Sequence, residues 1–184
     1  MKKLNISLLI SCLFLLFTGC QKDESFSQST YNAKANELIQ QIAKDDSCGC
    51  ILEMPQESMI KIRTHENPDI EVSIKSFILK KLHLKDIKQL DSLENVSEKF
   101  ILDTISLKQK NIKIIKRNLV FNNNKDKEVI LSKKCSDGIF LYFSKPIIDE
   151  KNKKAALFYK PMFTCLASPL YVYKLEDGKW ILEQ

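Results

Sequence analysis

Apolar side chains recur at helical spacing in the first half of the chain. One stripe runs from Tyr31 to about residue 44, with polar residues on the opposite side. A second stripe runs from 69 to 82, after a turn in which Pro68 disfavours a helical conformation of the preceding residue. Asp86 is placed to cap a short third helix. The pattern therefore predicts three amphipathic helices.

From Phe100 onward the apolar period shortens towards two, which is typical of strands. The predicted strands are 100–107, 112–120, 138–144, 155–163, 169–176 and 179–183. Asp177-Gly178 predicts a type I′ hairpin between the last two strands, and Asp149 to Lys154 predicts a looser turn. Residues 51–62 indicate an irregular loop or a short strand, and 128–132 a strand or a helical turn. The sequence thus predicts an α+β domain, with N-terminal helices packed on one face of a C-terminal antiparallel β-meander.

The first residues have the composition of an export signal. Lys2 and Lys3 precede an apolar run, Leu4 to Phe17, that is short for a membrane span. The ending Phe17-Thr18-Gly19-Cys20 resembles the lipobox of bacterial lipoproteins. This resemblance implies that Cys20 is lipidated and becomes the first mature residue. We therefore expect a signal peptide over 1–19, a lipidated tether over 20–30 and one α+β domain over 31–184.

The residues after the lipobox carry a second resemblance. Gln21-Lys22-Asp23-Glu24 is similar to the acidic export tag of surface lipoproteins in the Bacteroidota. The resemblance implies a lipid anchor in the outer membrane with the domain exposed at the cell surface. The alternatives are a polar opening of the tether and a domain that faces the periplasm.

The C-terminal half resembles that of small flavobacterial lipoproteins. Four segments and Cys165 carry the resemblance: Gly138-Ile139-Phe140, Phe143 to Ile147, Ala155 to Tyr159, and Gly178-Lys179-Trp180. The chain departs from that group at Leu166 to Pro169, where relatives carry more glycine. The resemblance implies a compartment and a fold, and it implies no activity.

Length and charge limit the classes of function. Without residues 1–19, 165 of the 184 residues remain, which is enough for one domain with a substantial core. The net charge of +6 falls to +4 because Lys2 and Lys3 leave with the signal. The remaining lysines are scattered among acids, which suits solubility and an anionic membrane surface better than nucleic acid. The expected partners are the membrane, through the lipid, and an unidentified protein or glycan.

Four cysteines remain after Cys12 is removed with the signal and Cys20 is lipidated: Cys48, Cys50, Cys135 and Cys165. An even number in an oxidising compartment predicts disulfides. In a hairpin that turns near Glu150, Cys135 would face Cys165, so these two can bridge. Cys48-Gly49-Cys50 can alternatively form a reducible redox bridge or bind a soft metal. No second Cys or His pair at zinc spacing accompanies it, so no metal site is predicted.

No catalytic residue and no cofactor are predicted. His65-Glu66-Asn67-Pro68 lacks the second histidine of a metalloprotease motif, and Ser144 lacks the glycines of a nucleophile elbow. The basic run from Lys108 to Arg117 is interpreted as lysines that face solvent from a strand. Its alternative is a site for an anionic sugar, a lipid or a protein. Tyrosines and Trp180 in the strands are interpreted as core residues.

Two triplets, Asp91-Ser92-Leu93 and Asp103-Thr104-Ile105, resemble the O-glycosylation signal of exported Bacteroidota proteins. Ser92 and Thr104 are therefore glycosylation candidates, with unmodified surface residues as the alternative.

These observations favour a lipid-anchored protein that acts by binding, as an accessory, inhibitor or immunity-type lipoprotein, and not as an enzyme. The alternative is a thiol redox or metal-binding protein that uses Cys48 and Cys50.

Overall fold

The structure is a computed structural model that describes residues 27–45, 49–121, 135, 140–161 and 169–183. The predicted signal peptide, Cys20, the predicted export tag, Cys48, Cys165 and the segment 128–132 lie outside these ranges. The helices are α1 (Gln28–Asp45), α2 (Met59–Glu66), α3 (Glu71–Leu82), α4 (Ile87–Glu98), α5 (Thr104–Gln109) and α6 (Arg117–Phe121), with a 3₁₀ turn at Pro68–Ile70. The strands are β1 (Cys50–Leu52), β2 (Lys113–Ile115), β3 (Leu141–Phe143), β4 (Ile147–Asp149), β5 (Lys154–Pro161), β6 (Leu170–Glu176) and β7 (Lys179–Leu182).

The three predicted helices are present as α1, α3 and α4. α1 begins at Gln28, inside the predicted tether, because the Ser27 hydroxyl accepts the Thr30 N–H at 3.1 Å and so caps the first turn. The Asp86 carboxylate accepts the Gln89 N–H at 2.9 Å and caps α4 as predicted. Asn67, before the proline, is extended at φ −154°. Capping and proline chemistry therefore fix the helix boundaries.

The C-terminal strands form the predicted antiparallel meander. β5 pairs with β6 and β6 with β7. Asp177 and Gly178, at φ 47° and 76°, make the type I′ turn between β6 and β7, since that turn needs positive φ at both central positions. β3 and β4 pair with successive parts of β5 along its other side.

The sheet also contains a parallel part that was not predicted. β1 lies between β2 and β3 and runs parallel to both. Among the described residues the strand order is β2-β1-β3-β5-β6-β7, with β4 beside β5. The fold is α+β with a mostly antiparallel sheet, as predicted.

Two predicted strands are largely wrong. The segment 100–107 is a loop followed by α5, because the Asp103 carboxylate accepts the N–H groups of Ile105 and Ser106 and caps a helix. The segment 112–120 holds only the three residues of β2 before α6 begins. Part of 51–62 is helical, because Ser58 accepts the Lys61 N–H and starts α2.

The sheet is covered on both faces, whereas the prediction placed all helices on one. α1 packs through residues such as Leu38 and Ile39 on the face that carries Leu157 and Trp180. α2 and α3 pack on the other face, against a cluster that includes Phe158. Side chains alternate between these clusters along β5, as a strand requires. Within the described residues no helix is long and apolar enough to cross a membrane.

A disulfide closes a third apolar cluster. Cys50 of β1 is bonded to Cys135 with a Cα–Cα distance of 5.8 Å, and both residues are buried. The predicted bridge between Cys135 and Cys165 is therefore not formed in this structure. The prediction considered only the ladder on the β5 side, whereas β3 pairs with β1 on its other side and brings Cys50 within reach.

Candidate functional site

The two outer strands of the sheet differ in what lies beside them. At β7, the N–H and C=O of Trp180 point away from β6, because Trp180 faces Leu175 between the bonded pairs of the ladder. The side chain of Gln41, from α1, binds both groups: its Nε2 donates to Trp180 O at 2.6 Å, and its Oε1 accepts from Trp180 N at 3.0 Å. We call this the closed edge.

At β2, the corresponding groups are not covered by a described residue. Lys113 N donates to Gly49 O at 2.8 Å, and Ile115 O accepts from Glu53 N at 2.8 Å, so residues 113 and 115 face β1. Ile114 lies between them and therefore directs its N–H and C=O outward. No strand lies beyond β2 in the described part of the chain. We call this the open edge.

A groove of about 390 Å³ adjoins the open edge. We call it the edge groove. Its lining combines an apolar floor with charged groups: Glu53, Met54, Leu102, Thr104, Lys108, Ile114 and Lys116. Met54, Leu102 and Ile114 pack with their inner sides on the core under α1. The groove thus offers apolar contact and charge next to backbone groups that no described residue binds.

The wall formed by residues 101–103 is held by two asparagines of α1. Asn32 Oδ1 accepts the Ile101 N–H at 3.2 Å, and Asn36 Oδ1 accepts the Asp103 N–H at 2.7 Å. Asn36 Nδ2 also donates to Ile101 O at 2.9 Å. These bonds replace a strand ladder for this segment. The side chains of Ile101 and, in α5, Ile105 project into solvent, with exposures of 69% and 70%.

The charges of the groove are predominantly positive. The Lys116 ammonium lies 2.5 Å from Glu53 Oε1, and this contact lowers the pKa of the Glu53 carboxyl below its ordinary value. Lys108 is exposed and forms no ion pair with a described residue. From residue 104 to 125 the sequence contains no acid. An anionic group in the groove would therefore meet Lys108 directly.

Ser92 and Thr104, the predicted glycosylation candidates, are both exposed but lie in different surroundings. Ser92 lies in the middle of α4, and Thr104 is the first residue of α5 and lines the edge groove. Asp103 is occupied as the helix cap, and its hydrogen bonds with Ser106 lower its pKa. The aspartate of this triplet thus has a structural role of its own.

The thiol alternative depends on Cys48 and Cys50, and the structure pairs Cys50 with a different cysteine. The Cys50 sulfur is bonded to Cys135, so it does not pair with Cys48 in this structure. The described residues contain no group of three His, Cys, Asp or Glu side chains that could hold a metal ion. Cys48 and Cys165 lie outside the described ranges.

Ser144 and Lys145 link elements of the core. Ser144 Oγ accepts the Phe158 N–H at 3.0 Å at the break between β3 and β4. Lys145 is 5% exposed, and its Nζ donates to the carbonyls of Gln56 and Glu98 at 2.5 and 2.6 Å. Burial lowers the pKa of this ammonium. Both side chains therefore serve the fold.

A second depression, of about 330 Å³, lies where α2 and α3 meet the sheet. Its walls are apolar except for Arg63, whose guanidinium lies 4.6 Å from the centre of the Phe158 ring. The edge groove is the better candidate because apolar side chains, lysines and the outward backbone groups of Ile114 converge there.

The sequence pointed to only one wall of this site. The basic run was noted, and Lys113 faces solvent beside buried Ile112 as predicted. Glu53 and Met54 were missed, because the parallel pairing of β1 with β2 brings them there from far along the chain. Neither family models, curated proteins nor solved structures provide a match to this chain.

Proposed function

We propose that this protein is a lipid-anchored binding protein of the outer membrane surface, which captures an acidic protein partner in the edge groove. The observation that supports this proposal is the convergence of Lys108 and Lys116 on an apolar floor that stays accessible to solvent. Exposed apolar side chains with a charged rim are the usual composition of a protein-binding patch. The lipobox resemblance at Cys20 supports the anchor.

The positive charge of the groove lysines favours a negatively charged partner. Rim charges act mainly on association rate and on the choice of partner, and they depend on ionic strength. Glu53 neutralises part of the Lys116 charge, whereas Lys108 has no such neighbour among the described residues. Lys108 is therefore the side chain on which recognition of an acidic partner depends most. Ile101 and Ile105 extend the apolar contact beyond the groove.

The test uses the full lipoprotein reconstituted in neutral liposomes and fluorescent polyglutamate as the probe. Lys108→Glu should weaken binding roughly five- to tenfold, since a favourable exposed pair becomes a repulsive one. Lys179→Glu, on β7, changes charge equally and should leave binding unaltered. Equal binding by both variants would contradict the proposal. Binding of polygalacturonate but not of polyglutamate would replace the protein partner by an acidic glycan. Mass spectrometry of the same preparation must find Cys20 acylated.

A further inference from the structure

The closed edge and the open edge both direct backbone N–H and C=O groups outward, but only those of Trp180 at the closed edge are bound by a described side chain. Trp180 on β7 and Ile114 on β2 each direct one N–H and one C=O away from the sheet. At the closed edge the Gln41 amide supplies one donor and one acceptor, which is the pair of bonds that another strand would make. At the open edge no described residue supplies them. In the described part of the fold, Ile114 is therefore an uncovered position at which an additional strand can pair.

We infer that the partner binds as an extended peptide segment that adds to β2 as an extra strand. This inference rests on the proposed function and names the form that the partner takes. Addition of a strand to a free sheet edge is a common mode of peptide recognition, in which main-chain bonds give affinity and alternate side chains give specificity. Ile114 supplies the N–H and C=O for the first pair of bonds.

The groove defines the side chains of the added strand. Alternate residues of such a segment point to the same face as Ile114, above Met54 and Leu102. Aliphatic residues at these positions fit the apolar floor. Acidic residues at other positions of this same face reach Lys108 and Lys116. The partner is therefore an extended segment that presents both aliphatic and acidic residues on one face, at every second position.

Lysines at a sheet edge can also protect it from pairing with other chains, and the test must distinguish this role from peptide binding. Edge strands with lysines resist pairing with other chains, because an added strand would bury their charge. That role predicts repulsion of every added strand. Strand addition predicts that an acidic strand is accepted and that a basic one is rejected. The sign of the peptide therefore discriminates between the two roles.

The experiment measures binding of a peptide with Val and Glu in turn at every second position and Ser between them, long enough to span β2, to the full lipoprotein by fluorescence anisotropy; we call it the Glu-Val peptide. The same peptide with every amide N-methylated, which keeps the charges but loses all amide donors, should bind at least about tenfold more weakly. The same peptide with Lys in place of Glu should not bind. Equal affinity of the N-methylated and unmodified peptides would overturn strand addition while leaving the proposed function intact.

A variant tests the same bond from the protein side. Ile114→Pro removes the outward N–H and no bond to β1, because the Ile114 N–H points away from β1. Edge positions of this kind tolerate proline. Ile114→Ala loses the same side chain and keeps the N–H. Binding of the Glu-Val peptide should be at least about tenfold weaker in the proline variant than in the alanine variant. Equal binding in the two variants, with thermal unfolding unchanged, would overturn the inference. Failure of the Glu-Val peptide to bind at all, with polyglutamate binding also insensitive to Lys108→Glu, would overturn the proposed function itself.

Discussion

The two ends of the sheet differ in how far apart along the chain their paired strands lie. β5, β6 and β7 follow one another along the chain, and a two-residue turn joins β6 to β7 at the closed edge. β1, β2 and β3 are assembled from segments separated by helices, and β1 is held by the bridge from Cys50 to Cys135 across 85 residues. Local turn chemistry makes the first end. A covalent bond and parallel pairing stabilise the second, which is also the end that carries the edge groove.

Of the changes that test this difference, loss of the disulfide should have the largest effect on stability. Replacing Cys50 and Cys135 together by alanine should lower the free energy of unfolding by about 2–5 kcal/mol, because a long loop is no longer closed in the unfolded chain and a buried cluster loses volume. Urea unfolding measures the total. Hydrogen exchange should show that amides of β1 and β2 lose more protection than those of β6 and β7. An even loss across the sheet would contradict the difference between the two ends.

Uncovering the closed edge should have an intermediate effect. Gln41→Ala leaves the Trp180 N–H and C=O without their partners, which should cost about 1–3 kcal/mol of stability. The variant should also associate with itself more readily, since an uncovered edge pairs with other chains. Urea unfolding and sedimentation velocity measure the two effects.

Gln40→Ala is the matched control for that variant. Gln40 is the neighbouring residue of α1, and among the described residues its Oε1 accepts a bond only from the exposed Lys110 ammonium. Its removal should change stability by less than about 0.5 kcal/mol. Equal destabilisation by the two alanines would show that the backbone clamp on Trp180 contributes nothing.

The smallest effect concerns the charge at the open edge. Lys116 lowers the pKa of Glu53 below 4.5, so the pair stabilises the fold above that pH and the contribution is lost as pH falls through the lowered pKa. Both groups are exposed, so the contribution is below about 1 kcal/mol. Glu53→Gln should flatten the pH dependence of stability between pH 7 and 3. It should also release Lys116 and tighten polyglutamate binding. Weaker binding would contradict a groove that selects acidic partners.

Features that depend on neighbouring residues were predictable from the sequence. Asp177-Gly178 fixes its turn through positive φ, Asp86 caps α4 through its own carboxylate, and the stripe from Tyr31 needs only helical spacing. The same reasoning failed at Phe100 to Leu107. An apolar run suggested a strand there, whereas the Asp103 cap and bonds from Asn36 impose a loop and a helix.

Features that depend on distant pairing could not be predicted. β1 is three residues long, and nothing local indicates that it pairs with β2 and β3. Without that pairing, Cys135 was matched with Cys165 in place of Cys50. The edge groove was missed for the same reason. Its lysines were visible in the sequence, but the wall that contains Glu53 and Met54 comes from the unpredicted strand.

The central place of β5 has a consequence for the order in which the protein folds. β5 is the strand on which β3, β4 and β6 all assemble, and it begins only at Lys154. A chain made from its N-terminus has already released α1, β1 and β2 before this strand exists. The C-terminal hairpins contain the shortest-range contacts and form fastest. The last segment to be synthesised should therefore be the first part of the sheet to fold, and β1 and β2 should join it last.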